Sequence, residues 1–454
     1  MPLPMIQPTL SASVFLLVAC LLALPSLADE NQRKPNLILI LADDLGYGDV
    51  GFLGSPEVLT PHLDRLALEG LSMTRMRANC TVCSPTRAAL LTGVYADRAG
   101  VPGVIRTHAD NSWGFLDPDR STLPDRLGKL GYRTAIVGKW HLGLTSPNLP
   151  NQRGFDHFHG FLGDMMDDYV THLRHGQNYM RLNEQTITPA GHATDLFTDW
   201  AIDFVRDASE SEDDPFFLYL AYNAPHFPIQ PPAEYLAEVN RRLPELDDKR
   251  AKNVAFVEHL DTSIGRFLTA IDEIGIGGNT IVAFTSDNGG SLSHSQNNDP
   301  WYGGKQEHFD GGLRVPCVVR FPGVIEPGSR SDEPALTFDL GATMLRYAGG
   351  RSGDGDDAVS LDGLFRGEAM PRDRPLYFVR REGGGRYGGL AYHAVIAGKW
   401  KLMRNDPFSP LMLFDLESDP SEQNNVANGN PGVVARLKKQ LSLHVQRGGG
   451  VRWQ

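Results

Sequence analysis

Five short apolar runs, rich in β-branched residues, recur along the chain: Leu37–Leu41, Thr134–Val137, Phe216–Tyr222, Thr280–Phe284 and Val315–Phe321. Their length and composition predict buried strands. Between them lie stretches of helical pattern, such as Pro61–Glu69, which follows Thr60 as N-cap and stops at Gly70. Strands alternating with helices predict an α/β fold, a large, mostly parallel sheet between helices. The glycine- and aspartate-rich stretch from Gly349 to Asp357 reads as an exposed turn or linker. Beyond it, Leu376–Val379, His393–Ala397 and Trp400–Met403 suggest a smaller C-terminal antiparallel sheet, and Val433–Val445 a closing amphipathic helix. The expected division is 1–28 as an export signal, 29–350 as the larger domain and 351–454 as a smaller subdomain. No internal repeat is visible.

The polar residues that follow these runs change the picture. The first run leads into Asp43-Asp44, the second into Lys139-Trp140-His141, the third into Asn223-Ala224-Pro225-His226 and the fourth into Asp287-Asn288-Gly289. Open α/β sheets bind ligands at the carboxyl ends of their strands. Four strands would therefore deliver acids, histidines, amides and a lysine to one edge, an arrangement that a purely structural sheet does not need.

Composition narrows the setting. The 454 residues are 41% hydrophobic and 22% charged, ordinary for a soluble globular chain. A formal net charge of −12 gives no reason to expect nucleic acid or an anionic membrane as partner. Val14–Leu24 is a short apolar run followed by Ser26-Leu27-Ala28, a small-x-small cleavage pattern, so export to the periplasm or outside the cell is expected, without stable membrane insertion. No Lys or Arg precedes the run, and Leu17-Val18-Ala19-Cys20 leaves a lipidation reading open. After cleavage three cysteines remain, Cys80, Cys83 and Cys317, too few for a disulfide framework. Cys80 and Cys83 have the spacing of a redox pair, and Asn79-Cys80-Thr81 is a lone glycosylation sequon.

The strongest signal is Cys83-Ser84-Pro85-Thr86-Arg87-Ala88-Ala89-Leu90-Leu91-Thr92-Gly93. Pro85 and Gly93 frame a short helix, which puts Cys83 at the N-terminus and Arg87 one turn on, facing the same side. This segment resembles the signature of the formylglycine-dependent type I sulfatases, arylsulfatase-like members of the alkaline phosphatase superfamily. Gly131-Tyr132-Arg133-Thr134 through Gly138-Lys139-Trp140-His141-Leu142-Gly143, Ala224-Pro225-His226, Ser286-Asp287-Asn288-Gly289 and Gly303-Gly304-Lys305 follow in that family's order. The tail Leu413-Phe414-Asp415-Leu416 through Glu422-Gln423-Asn424-Asn425 also resembles the family's.

The resemblance implies an alkaline phosphatase-like fold and hydrolysis of a sulfate ester, most naturally of a sulfated carbohydrate. It implies that a formylglycine-generating maturation enzyme oxidises Cys83 to Cα-formylglycine. One hydroxyl of the aldehyde hydrate attacks sulfur, and loss of the proton from the other expels sulfate. Asp43, Asp44, Asp287 and Asn288 are hard oxygen donors suited to Ca²⁺, with residue 83 as a further ligand, and no Cys/His cluster among them favours zinc. By similarity, Arg87 and Lys139 hold the hydrate and sulfate, His141 takes the proton, and His226 and Lys305 meet the leaving oxygen. Two rival readings remain: a formylglycine-dependent phosphonate or phosphate diester hydrolase, and a binding protein in which Cys83 is never converted. Gln306-Glu307-His308-Phe309-Asp310 departs from the family pattern, and Glu307 and His308 are expected to face the non-sulfate part of the substrate. The basic segment Arg380–Tyr387 is expected to form either a rim for an anionic or sugar group or a solvated turn.

Overall fold

The computed structural model describes residues 33–108, 111–211, 214–370, 374–382, 391–405 and 408–450, with residues 1, 2 and 4. The expected export signal lies outside the described residues, apart from those three. No helix among the described residues is long and apolar enough to cross a membrane. Lys34–Gln454 group as one compact unit.

Five strands lie side by side in parallel: His157–Phe161, Arg133–Lys139, Phe216–Ala221, Asn36–Ala42 and Thr280–Ser286. They are the centre of a ten-stranded sheet. Cys317–Arg320 adds antiparallel beyond Thr280–Ser286, and Met180–Leu182 adds antiparallel beyond His157–Phe161. Both faces are dry because the strands are apolar on both. Leu37, Leu39 and Leu41 pack on one side with Ala88, Leu90 and Leu91 of the helix Cys83–Thr92 and Met344 of Thr337–Tyr347. Ile38 and Ile40 pack on the other with Phe197 of Ala193–Ala208 and with Val254, Ile264 and Phe267 of Asp248–Ile274. Across that second layer, His259 meets Asp195 at 3.1 Å, tying the two long helices together.

The smaller antiparallel sheet has four strands in chain order: Leu376–Arg381, Ala391–Ala397, Trp400–Arg404 and Met412–Asp415. The fourth falls on the Leu413-Phe414-Asp415 motif. Val395, Leu402 and Leu413 face the helix Pro431–Gly448, while Ala394, Met403 and Phe414 face Phe309, Leu336 and Phe338 of the larger sheet's surroundings. Residues 351–355 are exposed as expected, although Asp356 and Asp357 are drawn in by Arg126 and Arg98 at 2.5 Å each.

One local expectation is corrected, and two minor alternatives, the sequon and the redox pair, fall away. The Thr60 hydroxyl does not cap Pro61–Leu68; it accepts from the Gly51 amide at 2.7 Å and bonds Asp64, while the amides of His62 and Leu63 donate to Asp261. Asn79 is no open sequon, because it is buried and its Oδ1 accepts from the Thr337 hydroxyl (2.7 Å) and the Phe338 amide (3.0 Å). Cys80 and Cys83 are free and buried, and burial pushes the Cys80 thiol up to about 12, so no redox pair forms.

Candidate active site

The parallel strands end at one edge, and four of the five hand residues to a single buried cluster. Asn36–Ala42 delivers Asp43 and Asp44, with Asp44 held at φ +66°. Thr280–Ser286 delivers Asp287 and Asn288. Ser286 fixes the crossing, because its Oγ accepts from the Leu45 amide at 3.0 Å and donates to the Asn288 carbonyl at 3.0 Å. Arg133–Lys139 reaches the edge through Gly138 at φ +106°, where a Cβ would stand 2.0 Å from the Ala221 carbonyl oxygen, so only glycine fits. The helix Cys83–Thr92 ends at Gly93 in the left-handed region (φ +73°), and its first residue points back at these strand ends.

Around Cys83 Sγ lie Asp43 Oδ1 at 3.3 Å, Lys305 Nζ at 3.7 Å and Asp44 Oδ1 at 4.0 Å. Lys139 pairs with Asp43, and Lys305 with Asp44 at 2.7 Å. Arg87 binds Asp287 Oδ2 through Nε (3.0 Å) and a terminal nitrogen (2.8 Å), and donates to the Lys139 carbonyl at 3.1 Å. Asn288 Nδ2 donates to Asp44 Oδ1 at 2.8 Å. Of the ten residues singled out from the sequence, nine are linked by contacts of 4.0 Å or less: Asp43, Asp44, Cys83, Arg87, Lys139, His226, Asp287, Asn288 and Lys305. His141, the tenth, bonds the Ile105 carbonyl at 2.7 Å and lies within the electrostatic reach of Lys139, Arg87 and Asp43.

The cluster is dry except at one lip, where the His226 and Lys305 side chains keep 12% and 14% of their exposure. In such surroundings charges act strongly on one another. Burial raises the Asp43 carboxyl, but Lys139, His226 and Arg87 outweigh it and hold it well below the usual range. Burial, then repulsion from Asp43, lifts Asp287 to about 7 despite Arg87. Burial, then Asp287 and Asp43, pushes the Cys83 thiol well up, so an unmodified Cys83 is a poor nucleophile. His141 is held neutral by burial and by Lys139 and Arg87. Burial brings His226 down to about 4.

Two polar atoms of the cluster are left over. Asn288 Oδ1 and His141 Nδ1 are buried with no hydrogen-bond partner among the described residues. Buried polar atoms are rarely left so. The Asn288 amide meets Asp44 through Nδ2, and with the carboxylates of Asp43, Asp44 and Asp287 its side chain makes up a set of hard oxygen donors suited to a divalent cation. Asp43, Asp44, Cys83 and His226 also place one ligand atom each within 4.8 Å of one another. The residues present fit a divalent metal.

Some supporting groups carried no sequence signal. Tyr169, buried, donates from its hydroxyl to the Asn223 carbonyl at 2.7 Å and holds the turn that carries His226. The Ile105 carbonyl that orients His141 is a backbone group, invisible to residue-type reasoning. Expectations about the rim are corrected as well. His308 is fully buried rather than facing a substrate, and Arg380 is buried against Glu382 at 2.7 Å. Glu307 is exposed, and 383–387 lie outside the described residues.

The sulfatase family profile matches residues 35–350, and the profile described as N-sulphoglucosamine sulphohydrolase, C-terminal, matches residues 300–447. N-acetylgalactosamine-6-sulfatase of Mus musculus is 33% identical over 411 residues, covering 85% of this chain and 75% of that protein. Arylsulfatase A of Bos taurus is 32% identical over 458 residues, covering 90% and 87%. The crystal structure of Ps i-CgsB in complex with k-i-k-neocarrahexaose superposes with a TM-score of 0.84 and 31% identity, covering 92% of this chain and 94% of that one. The phosphonate monoester hydrolase of Agrobacterium radiobacter shares the fold at a TM-score of 0.68 and 22% identity, covering 91% and 96%.

Proposed function

The chain belongs to the sulfatase family and hydrolyses sulfate esters, and from that premise we propose that its substrate is a sulfated carbohydrate, that position 83 is converted to Cα-formylglycine by a maturation enzyme, and that its metal is Ca²⁺. One observation carries the reading: three carboxylates and three fixed cations surround residue 83 in a single buried cluster, with the Asn288 amide bonded to Asp44 beside it. Relatives named for N-acetylgalactosamine-6-sulfate and a structural neighbour bound to a neocarrahexaose support a glycan substrate. The phosphonate monoester hydrolase likeness speaks to the fold alone.

Asp43, Asp44, Asp287 and Asn288 would hold the cation, with residue 83 beside them. When bound, the formylglycine hydrate supplies an oxygen nucleophile and the cation supplies Lewis-acid polarisation of sulfate oxygens. The chain's own residues supply the rest. Arg87 and Lys139 bring positive charge to the sulfate oxygens in a dry pocket, where it counts most. A carbonyl can only accept, so His141 Nε2 carries the hydrogen given to Ile105 and Nδ1 keeps the lone pair. That orphaned lone pair is the base that takes a proton from residue 83.

The leaving oxygen falls to Lys305 and His226. The negative charges of Asp44 and Asp43 hold the Lys305 ammonium charged in spite of burial. His226 Nδ1–H donates to its neighbour Phe227's carbonyl at 2.6 Å, and its Nε2 lies 3.6 Å from Asp44. At neutral pH His226 is uncharged, so Lys305 is the charged donor at the leaving oxygen.

The remaining parts of the reading concern context. Residues 1–28 serve export to the periplasm or the outside, 29–350 carry the reaction and 351–454 form the supporting subdomain. Mass spectrometry of the peptide containing residue 83 tests the central claim: active protein must show the mass change of –CH₂SH becoming –CHO. Full activity with an intact thiol would overturn it. Turnover of sulfate monoesters in preference to phosphate diesters separates this reading from its rival.

A further inference from the structure

Beside the lip of the cluster lies a patch of exposed apolar surface that no catalytic step uses. The turn that sends His226 inward carries Phe227 outward, 43% exposed. The Phe227 ring stacks on His294, with centroids 4.7 Å apart and planes 19° from parallel. His294 closes the short 3₁₀ turn Leu292–His294, six residues beyond Asn288, and its ring is close enough for Asp44 and Lys305 to act on it. Leu292, at the start of that turn, is 56% exposed. A Cβ built on Gly304 would lie 2.9 Å from Leu292 Cγ, so Leu292 lies over the backbone that carries Lys305.

The patch is built rather than loose. Gln296 accepts from the Ser291 amide through its Oε1 and donates through Nε2 to the Pro225 carbonyl at 3.1 Å, clasping the loop of Phe227 to the loop of His294. His294 Nδ1 meets Ser291 Oγ at 3.1 Å, which fixes the ring that backs Phe227. Grouped apolar side chains at the edge of a polar site are of the kind that line ligand-binding clefts.

We propose that Phe227, backed by His294 and flanked by Leu292, forms a shelf for the apolar CH face of the sugar ring that bears the sulfate. The proposal rests on the reading of the site as a sulfatase acting on carbohydrate. His226 and Lys305 stand at the leaving oxygen, so the ring attached to that oxygen must continue outward past them. Phe227 is the next residue after His226, and Leu292 covers Gly304 next to Lys305. A pyranose offers one CH-rich face to stack on an aromatic ring and keeps its hydroxyls at the edges. Phe227 and Leu292 thus select for the ring, while the buried cluster selects for the sulfate.

Calorimetric titration of the full chain in calcium-containing buffer, with Cys83→Ala as the common background for every variant, tests this without turnover. Three probes are used: a 6-O-sulfated hexosamine, 4-nitrophenyl sulfate and inorganic sulfate. Phe227→Ala should weaken the sulfated sugar about tenfold and leave inorganic sulfate within about twofold, while Phe227→Trp keeps both near wild type. Leu292→Ser, at an exposed position, should weaken the sugar by a smaller factor. Unchanged sugar affinity in Phe227→Ala overturns the shelf and leaves the sulfatase reading standing. Equal weakening of inorganic sulfate, or a loss confined to the aryl ester, overturns it as well. A wild-type chain that binds none of the three probes removes the site reading and the shelf together.

Discussion

At the strand ends, Asp43, Asp44 and Asp287 face Arg87, Lys139 and Lys305; under the C-terminal sheet, Asp310 and Glu422 face Arg77, Arg314 and Lys401. Both clusters are built of the same residue types, and both are buried. In the second, each oxygen of Asp310 has two cationic donors. Oδ1 accepts from Arg77 and Lys401 at 3.0 Å each, and Oδ2 from Arg77 at 2.6 Å and Arg314 at 2.8 Å. The Asp310 amide donates to Glu422 at 2.6 Å, and Lys401 reaches Glu422 at 2.7 Å. Burial raises the Asp310 carboxyl, yet Arg77, Lys401 and Arg314 hold it well below its ordinary range. At the strand ends, by contrast, Asp287 is lifted to about 7, the Cys83 thiol is pushed well up, and Asn288 Oδ1 and His141 Nδ1 have no partner among the described residues. The difference lies in which groups are left over: both oxygens of Asp310 are matched within the fold, although burial raises Glu422 and Arg77 Nη1 has no partner among the described residues, whereas at the strand ends the unmatched atoms are the acceptors Asn288 Oδ1 and His141 Nδ1.

If that distinction holds, substitutions should split cleanly into those that remove activity and those that remove the fold. Cys83→Ala should reduce sulfate ester hydrolysis to background, since the proposed function places the nucleophile at position 83, while shifting the melting temperature by no more than about 2 °C. Loss of several degrees would mean that the strand-end cluster also holds the fold. Asp310→Asn should do the reverse. It leaves Arg77, Arg314 and Lys401 buried with too little negative charge, a defect worth about 3–5 kcal/mol by urea unfolding. If that variant does not fold, Lys401→Met is the milder probe, and per folded molecule it should keep wild-type turnover. A Lys401→Met protein of full stability but low activity would break the comparison.

Lys139→Ala should lower turnover by about 10²–10³ with less than about 1 kcal/mol of change in stability, because Arg87 remains 3.7 Å from Asp43 to offset its charge. Chelation should remove activity and Ca²⁺ restore it, with little change in the far-UV circular dichroism at room temperature. A fold that melts on chelation would make the strand-end cluster as structural as the Asp310 one.

The two clusters also differ in how far the amino-acid sequence shows them. The strand-end residues stand directly after apolar runs and inside short motifs, so period and position together place Asp43, Lys139, His226 and Asp287 on one edge. Nothing local marks the other cluster. Arg77, the local pair Asp310 and Arg314, Lys401 and Glu422 come from four separate places in the chain, brought together by the packing of the C-terminal sheet on the larger one. The same blindness explains the misplacement of His308. Its position three residues after Lys305 suggests a substrate-facing loop, but Phe309, packed against Phe414, pulls that stretch beneath the C-terminal sheet. Tyr169 was missed for a related reason, since its work is done through a hydroxyl on two backbone carbonyls.

His308 offers the finest test of saturation, because it sits beside the closed cluster and not within it. Counting side chains, that cluster has three cations against two carboxylates, and the His308 ring is fully buried with neither nitrogen hydrogen-bonded among the described residues. Burial first, then the positive charges of Arg380, His393 and Lys401, hold its pKa well below 6.5. A histidine kept neutral in the folded chain but free to protonate when unfolded makes the unfolded state bind more protons below about pH 6.5, so stability falls as the solution is acidified. Replacing it with phenylalanine, a ring of similar shape that can still lie beside Tyr392, removes that dependence. The loss of unfolding free energy between pH 7 and pH 5 should then shrink by about 2 kcal/mol relative to wild type, with turnover at pH 7 unchanged. Equal acid losses in the two proteins would show that His308 can protonate in the folded state, and therefore that the cluster beside it has spare negative charge after all.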